Sequence, residues 1–330
     1  MKRSTVIIRV LCTVLAIAAV CAVFCAAFSG CASETKSDGK PSVVVTVFPI
    51  YDWVKQIAGD RVDITLLLDS GVDLHSYQPS ADDVVKISTA DLFVFVGGES
   101  DAWVDDIVAG AKNDDLIPLD LIDELGDRAK EEEIKEGMQA EEEEGEEEEE
   151  GPEYDEHIWL SLKNASVLCG AIAEKLCAID PDGSDVYNGA ASDYVSKLDE
   201  LDKEYEKAVG EAKIKTVLFG DRFPFRYLVD DYGLDYYAAY VGCSAESEAS
   251  FETVAFLAAK VDELNLPAIF QIETANGQLA ETVRAATEKK DQKILTLDSL
   301  QSSVKEDVES GKSYLETMRK NLEVLKEALG

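Results

Sequence analysis

Histidine is nearly absent from this chain: 330 residues hold two, His75 and His157. The scarcity excludes a zinc-protease helix of the H-E-x-x-H kind, and neither a G-x-S-x-G elbow nor a glycine-rich dinucleotide loop is present. Positive charge is also short. Lysine and arginine total 31 against 67 aspartates and glutamates, a formal net charge of −36. Such a field repels nucleic acid, so no nucleic-acid partner is expected, and it attracts cations. Long apolar runs are missing except at the start, where residues 10–28 are apolar almost throughout behind Lys2, Arg3 and Arg9.

That leader has the pattern of a secretory signal over residues 1–30. It ends in Phe28-Ser29-Gly30-Cys31, which resembles a bacterial lipobox and would leave Cys31 as a lipidated N-terminus, with residues 31–40 as a polar tether. The alternative is an uncleaved membrane anchor, since the run is near the length a bilayer needs. Both readings put the rest of the chain outside the cytoplasm. Cysteines elsewhere are few. Cys12, Cys21 and Cys25 belong to the leader, leaving Cys169, Cys177 and Cys243. Cys169 and Cys177 share one expected helix, and eight residues at 1.5 Å each separate them by about 12 Å, too far for a disulfide. Cys243, in Val241-Gly242-Cys243-Ser244, sits in a loop and is the one candidate soft donor.

What is present is an alternating grammar. Short β-branched or apolar runs at residues 42–48, 62–68, 91–96 and 116–119 read as strands, the first three followed by helical patterns at 51–58, 81–88 and 101–111. The same alternation returns in the second half, with strands at 215–219, 235–240, 268–272 and 293–297 and a final helix to about Leu329. Between the halves, Tyr187, Ala191, Tyr194, Leu198, Leu201, Tyr205 and Val209 keep helical spacing over a stretch well beyond an average helix. The pattern predicts an α/β protein of two Rossmann-like lobes with parallel sheets, residues 41–180 and 214–330, joined by one long linking helix over 181–213. The first lobe carries an insert over residues 130–156, in which 131–156 holds sixteen acidic residues against one basic, Lys135, with little to bury. It is expected to be mobile, either a solubilising loop or a cation-gathering antenna.

The two histidines stand at the ends of polar stretches, His75 in GVDLHSYQPS and His157 in GPEYDEHIWLSLKN. Imidazole is a common metal donor, and a ligand at the start of an element can face a cleft. Isolated histidines of this kind also serve as satisfied structural residues, and spacing alone leaves both readings open.

Several phrases, in order, carry a resemblance: TVFPIYDWVKQIAGD, GVDLHSYQPSADDV, ADLFVFVGG, DEHIWLSLKNA, FRYLVDDYGL and LTLDSL. Along nearly all of its length after the leader the chain resembles the zinc and manganese class of metal-binding lipoproteins of bacterial ABC importers. The resemblance implies capture of a divalent cation between two lobes and its delivery to permease and ATPase subunits by a monomeric, lipid-anchored protein that is not an enzyme. It implies His75, His157 and Asp298 as ligands. Where the family has His or Glu this chain has Arg222, which donates only and cannot ligate a cation. The fourth ligand is therefore open among Glu273, Asp221, Cys243 and water, and Arg222 is expected to pair with Asp298 or Glu273. Two imidazoles and a carboxylate suit Zn(II) better than Mn(II), which wants more oxygens. Other readings stand beside this one: a secreted zinc hydrolase on the same residues with Glu273 as base, a surface adhesin, or a binder of a small organic anion through Arg222.

Overall fold

The computed structural model describes residues 39–139, 153–244 and 249–330. The leader, Cys31 and most of the tether lie outside the described residues, as does the centre of the acidic insert. No helix among the described residues is long and apolar enough to cross a membrane.

Two parallel four-stranded sheets carry the architecture. The first holds β1 (Ser42–Val45), β2 (Asp63–Leu66), β3 (Leu92–Phe95) and β4 (Ile117–Asp120) in the order β2-β1-β3-β4. The second holds β5 (Thr216–Phe223), β6 (Asp235–Val241), β7 (Ala268–Ile272) and β8 (Lys293–Leu297) in the order β6-β5-β7-β8, the same winding repeated. Central strands such as β3, Leu-Phe-Val-Phe, are buried at every residue. That is the signature of a strand covered on both faces, and it explains why these runs are continuous instead of alternating.

In the first half the helices are α1 (Phe48–Ala58), α2 (Ala81–Ser88), α3 (Val104–Ala109), α4 (Leu121–Leu125) and α5 (Leu162–Ile179). Pro49 stands inside the first turn of α1, where its missing N–H costs nothing, so the helix begins at Phe48, soon after β1. His157 stands just outside the helix that follows it. It precedes a single 3-10 turn, Ile158–Leu160, and α5 starts only after Ser161 caps it by accepting Asn164 N–H.

The long helix α6 runs Ser184–Glu211 and buries the seven residues that its spacing singles out. It is followed by α7 (Arg226–Tyr232), α8 (Phe251–Leu264), α9 (Gln278–Ala286), α10 (Lys305–Ser310) and α11 (Tyr314–Leu329). One buried cluster runs from β1 and α1 through α5 and α6 into β5, α7 and α11. Tyr194 of α6 donates to Asp52 of α1 at 3.3 Å, and Tyr205 of α6 donates to the Met318 carbonyl of α11. Helix α11 also reaches back to the first half: Tyr314 N–H donates to Asp52, its hydroxyl donates to the Trp159 carbonyl at 2.6 Å, and its ring packs edge-on against Trp53. A helix buried on both sides in this way is a spine more than a free hinge.

The insert departs from expectation at both ends. Residues 130–139 and 153–156 are ordered, tied by an antiparallel bridge between Glu131 and Tyr154. Lys130 N–H donates to the Tyr227 hydroxyl, which donates in turn to the Asp155 carbonyl. Glu133 pairs with Arg226 and Lys135 with Asp235, while Gln139 N–H donates to the Ala239 carbonyl at 2.9 Å. Composition argues against order only when a segment finds no partners, and these residues find them on the second lobe. The expectation of mobility for residues 140–152 falls outside the described residues.

Candidate metal centre

The residues of interest collect where the strands of both sheets end. In parallel α/β sheets the crevice beyond the carboxyl ends of the strands is where ligands bind. The loop after β2 carries His75, the loop after β3 carries Ser100, and the end of β5 carries Arg222. Gly242-Cys243 follow β6, and Asp298 to Gln301 follow β8.

Asp73 caps the 3-10 turn Leu74–Ser76 by accepting His75 N–H. The His75 ring is held by its Nδ1, 2.9 Å from Ser100 Oγ and 3.3 Å from Glu156 Oε2. Glu156 is buried and also accepts Ser100 N–H at 2.8 Å. Burial would raise its carboxyl, but the bonds from His75 and Ser100 outweigh that and hold it below its ordinary value. His157 is fully buried. Asp155 Oδ1 accepts His157 N–H at 2.8 Å and lies 3.0 Å from Nδ1. Burial alone would lower the His157 imidazole, but Asp155, with Gln301 and Glu156 behind it, raises it.

Both rings are thus fixed through Nδ1, and both turn Nε2 to the same point. The two Nε2 atoms lie 3.3 Å apart. Gln301 Oε1 is 2.9 Å from His157 Nε2. Cys243 completes the group: an imidazole nitrogen from each histidine and the Cys243 sulfur all lie within 4.8 Å of one another. Gly242 makes this approach possible, because a Cβ there would stand 2.9 Å from His157 Cε1 and 3.0 Å from Nδ1. Burial, with the charges of Asp155, Glu132 and Glu156, pushes the Cys243 thiol up. A cavity of about 730 Å³, lined by His75, Glu99, Trp103, Glu132, Glu156 and Cys243, leads to the group.

The other sequence candidates lie elsewhere. Asp298 does not join the imidazoles: its Oδ1 accepts Leu300 N–H and its Oδ2 pairs with Lys312 at 3.0 Å. That turn sets Leu300 at φ 63°, a left-handed conformation costly for leucine, and the residue delivered to the cleft is Gln301, three positions on. Glu273 accepts both Ser299 N–H and Ser299 Oγ–H, and burial followed by the nearby Asp298 charge raises it. Asp221 accepts Arg222 and Ile272 N–H groups. Arg222 pairs with neither expected partner. Its guanidinium donates to Asp73 at 2.7 Å, across the cleft, and to the Ser244 carbonyl at 3.1 Å.

Beneath His75, Asp101 accepts Val96 and Gly97 N–H groups through Oδ2 and is buried, which pushes its carboxyl up to about 7, with Glu156 and Asp120 adding to the shift. A raised folded value means the fold binds more protons than the unfolded chain between about pH 4 and 7, so stability is present at low pH and lost as pH rises through that window. Asp101→Asn keeps an acceptor for both N–H groups and cannot ionise. Its melting temperature relative to the parent is expected to climb from pH 4.5 to 7.5. A difference that stays flat across a series of melts would show that Asp101 titrates normally.

The family described as ZnuA, zinc-uptake complex component A, periplasmic, matches residues 43–328. The zinc-binding lipoprotein AdcA of Streptococcus pneumoniae is 34% identical over 332 residues, covering 99% of this chain and 61% of the relative. The chain thus spans about three fifths of that relative's length. The high-affinity zinc uptake system protein ZnuA of Bacillus subtilis is 30% identical, with 90% of each chain covered. Among solved structures, the Zn(II)-bound ZnuA-like domain of Streptococcus pneumoniae AdcA matches with a TM-score of 0.69 at 30% identity, covering 88% of this chain and 99% of that domain.

Proposed function

Since the chain belongs to the family of periplasmic zinc-uptake complex component A, we propose that it captures Zn(II) outside the cytoplasm and delivers it to an ABC importer, acting on permease and ATPase subunits as a monomer and performing no chemistry itself. One observation carries the reading: two imidazoles, each fixed through Nδ1, converge Nε2 to Nε2 at 3.3 Å. A tetrahedral Zn(II) with Zn–N near 2.0–2.1 Å holds its nitrogens about 3.3–3.4 Å apart. Carboxylates behind both rings supply the outer support that metal-bound histidines ordinarily have.

In this reading residues 41–180 present the two imidazoles and residues 214–330 close the site from the opposite lobe. Cys31, as the lipidated residue, holds the protein at the outer face of the membrane, in line with the lipoprotein naming of the pneumococcal relative. The hydrolase alternative loses support because Asp298 and Glu273, its remaining ligand and its base, are engaged with Lys312 and Ser299. The anion-binding alternative loses support because Arg222 is already paired with Asp73.

Calorimetric titration of the protein with Zn(II) and Mn(II) at pH 7 and pH 5 tests the proposal. One tight Zn(II) site is expected at pH 7, weaker at pH 5 as protons compete for the ligands. A hundredfold excess over Kd should add about 2.7 kcal/mol of stability. Absence of a one-to-one Zn(II) site at pH 7, with the melt unmoved, would defeat it.

A further inference from the structure

We propose that Cys243 ligates the cation as a thiolate and makes the site prefer borderline and soft divalent cations over Mn(II). The inference rests on the zinc-capture reading and names the donor that gives the site its selectivity. Three observations point the same way. Among the described residues, the group able to hold a metal is His75, His157 and Cys243, with no carboxylate in it. The carboxylates nearby are committed behind the rings, Asp155 to His157 Nδ1 and Glu156 to His75 and Ser100. The second lobe's other contribution is the neutral amide oxygen of Gln301, with Arg222 held off by Asp73. The donor set is therefore two nitrogens, one sulfur and one amide oxygen.

Such a set suits Zn(II), which takes sulfur at about 2.3 Å alongside nitrogen, and suits Mn(II) poorly, since Mn(II) favours several hard oxygens. Coordination replaces the S–H bond with a metal–sulfur bond and sends one proton to solvent, leaving the cation with one anionic ligand. Buried Asp155 and Glu156, with Glu132 at the Cys243 backbone N–H, supply the remaining negative field. Cys243 and His75 line the same cavity, with Glu132 and Glu156 beside them, so a cation entering it meets the sulfur and an imidazole in one place. The close approach at Gly242 fixes the loop against the His157 ring, so the sulfur is placed by backbone packing and not by chance.

Loading the full chain with Co(II) tests this directly. The parent should show the visible bands of tetrahedral cobalt together with an intense near-ultraviolet thiolate-to-cobalt transition. Cys243→Ser should lose the thiolate transition, bind Zn(II) at least about 100-fold more weakly, beyond the 10–100-fold typical of outer-sphere changes, and bind Mn(II) as before. Cys169 and Cys177 remain in that variant and serve as the internal control. Tetrahedral cobalt bands without a thiolate transition in the parent would overturn the role of Cys243 while leaving zinc capture intact. No cobalt bands at all would remove both. If Cys243→Ser fails to fold, the parent spectrum still decides, and Cys243→Asp, expected to shift preference toward Mn(II), gives a second reading.

Discussion

His75→Ala and His157→Ala are each expected to weaken Zn(II) binding by more than about 1,000-fold, roughly 4 kcal/mol. Each removes one of the two nitrogens that define the site, and each leaves a carboxylate facing the vacancy. The two variants should differ in the metal-free protein. His157 is fully buried against Trp159, so its loss opens a ring-sized cavity and removes the imidazole partner of Asp155, which keeps only the backbone N–H of residue 157; metal-free His157→Ala should therefore melt well below the parent. His75 lines the cavity, its ring is partly accessible, and Glu156 keeps its bond from Ser100 N–H when the ring is removed. Metal-free His75→Ala should therefore melt near the parent and yet respond no further to Zn(II). Calorimetry and melting curves with and without Zn(II) separate the two effects. A His75→Ala protein that still binds Zn(II) with parental affinity would dismantle the site, because no loss of fold could then be blamed.

Both sheets and the spine were legible because burial on two faces writes continuous β-branched runs and burial on one face writes the α6 spacing. These are statements about many residues at once and tolerate error in any one. The site depends on single residues. In Leu297-Asp298-Ser299-Leu300-Gln301 the sequence offers a carboxylate and an amide, and the carboxylate is the better ligand by chemistry. Which of them faces the cleft is decided by the left-handed turn at Leu300, and nothing in the identity of leucine announces that conformation. Cys243 left a fainter trace, a glycine before a cysteine just beyond a strand, which marks a close backbone approach without saying to what. The ordered stem of the insert was hidden for a related reason. Its acidic composition is a sum over the segment, whereas Glu133 and Lys135 are held by particular partners, Arg226 and Asp235, nearly a hundred positions away.

Arg222 carries the remaining large effect, and its sign is opposite in the two states of the protein. Its guanidinium spans the cleft to Asp73, with side-chain exposures of 15% and 20% for the pair. Asp73 would be raised by burial, but Arg222 outweighs this and holds the carboxyl below its ordinary value, so the pair adds stability at neutral pH that is lost as pH falls through the acidic range. Removing one partner of a buried pair costs about 3–5 kcal/mol, and partial exposure here should bring that to about 1–3 kcal/mol. The same Asp73 oxygen lies 3.5 Å from Gln301 Nε2, and its other oxygen accepts His75 N–H, so the pair sits one side chain from the cation site. Arg222→Met keeps the bulk, deletes a positive charge there and leaves Asp73 uncompensated. Metal-free Arg222→Met should melt below the parent, while Zn(II) binds about tenfold tighter, roughly 1.4 kcal/mol, and lifts the melt by a larger increment. Titration and melting of one variant thus read two opposed effects. Weaker Zn(II) binding by Arg222→Met would mean that the bridge to Asp73 is needed to align the lobes, and that its geometry matters more to the cation than its charge.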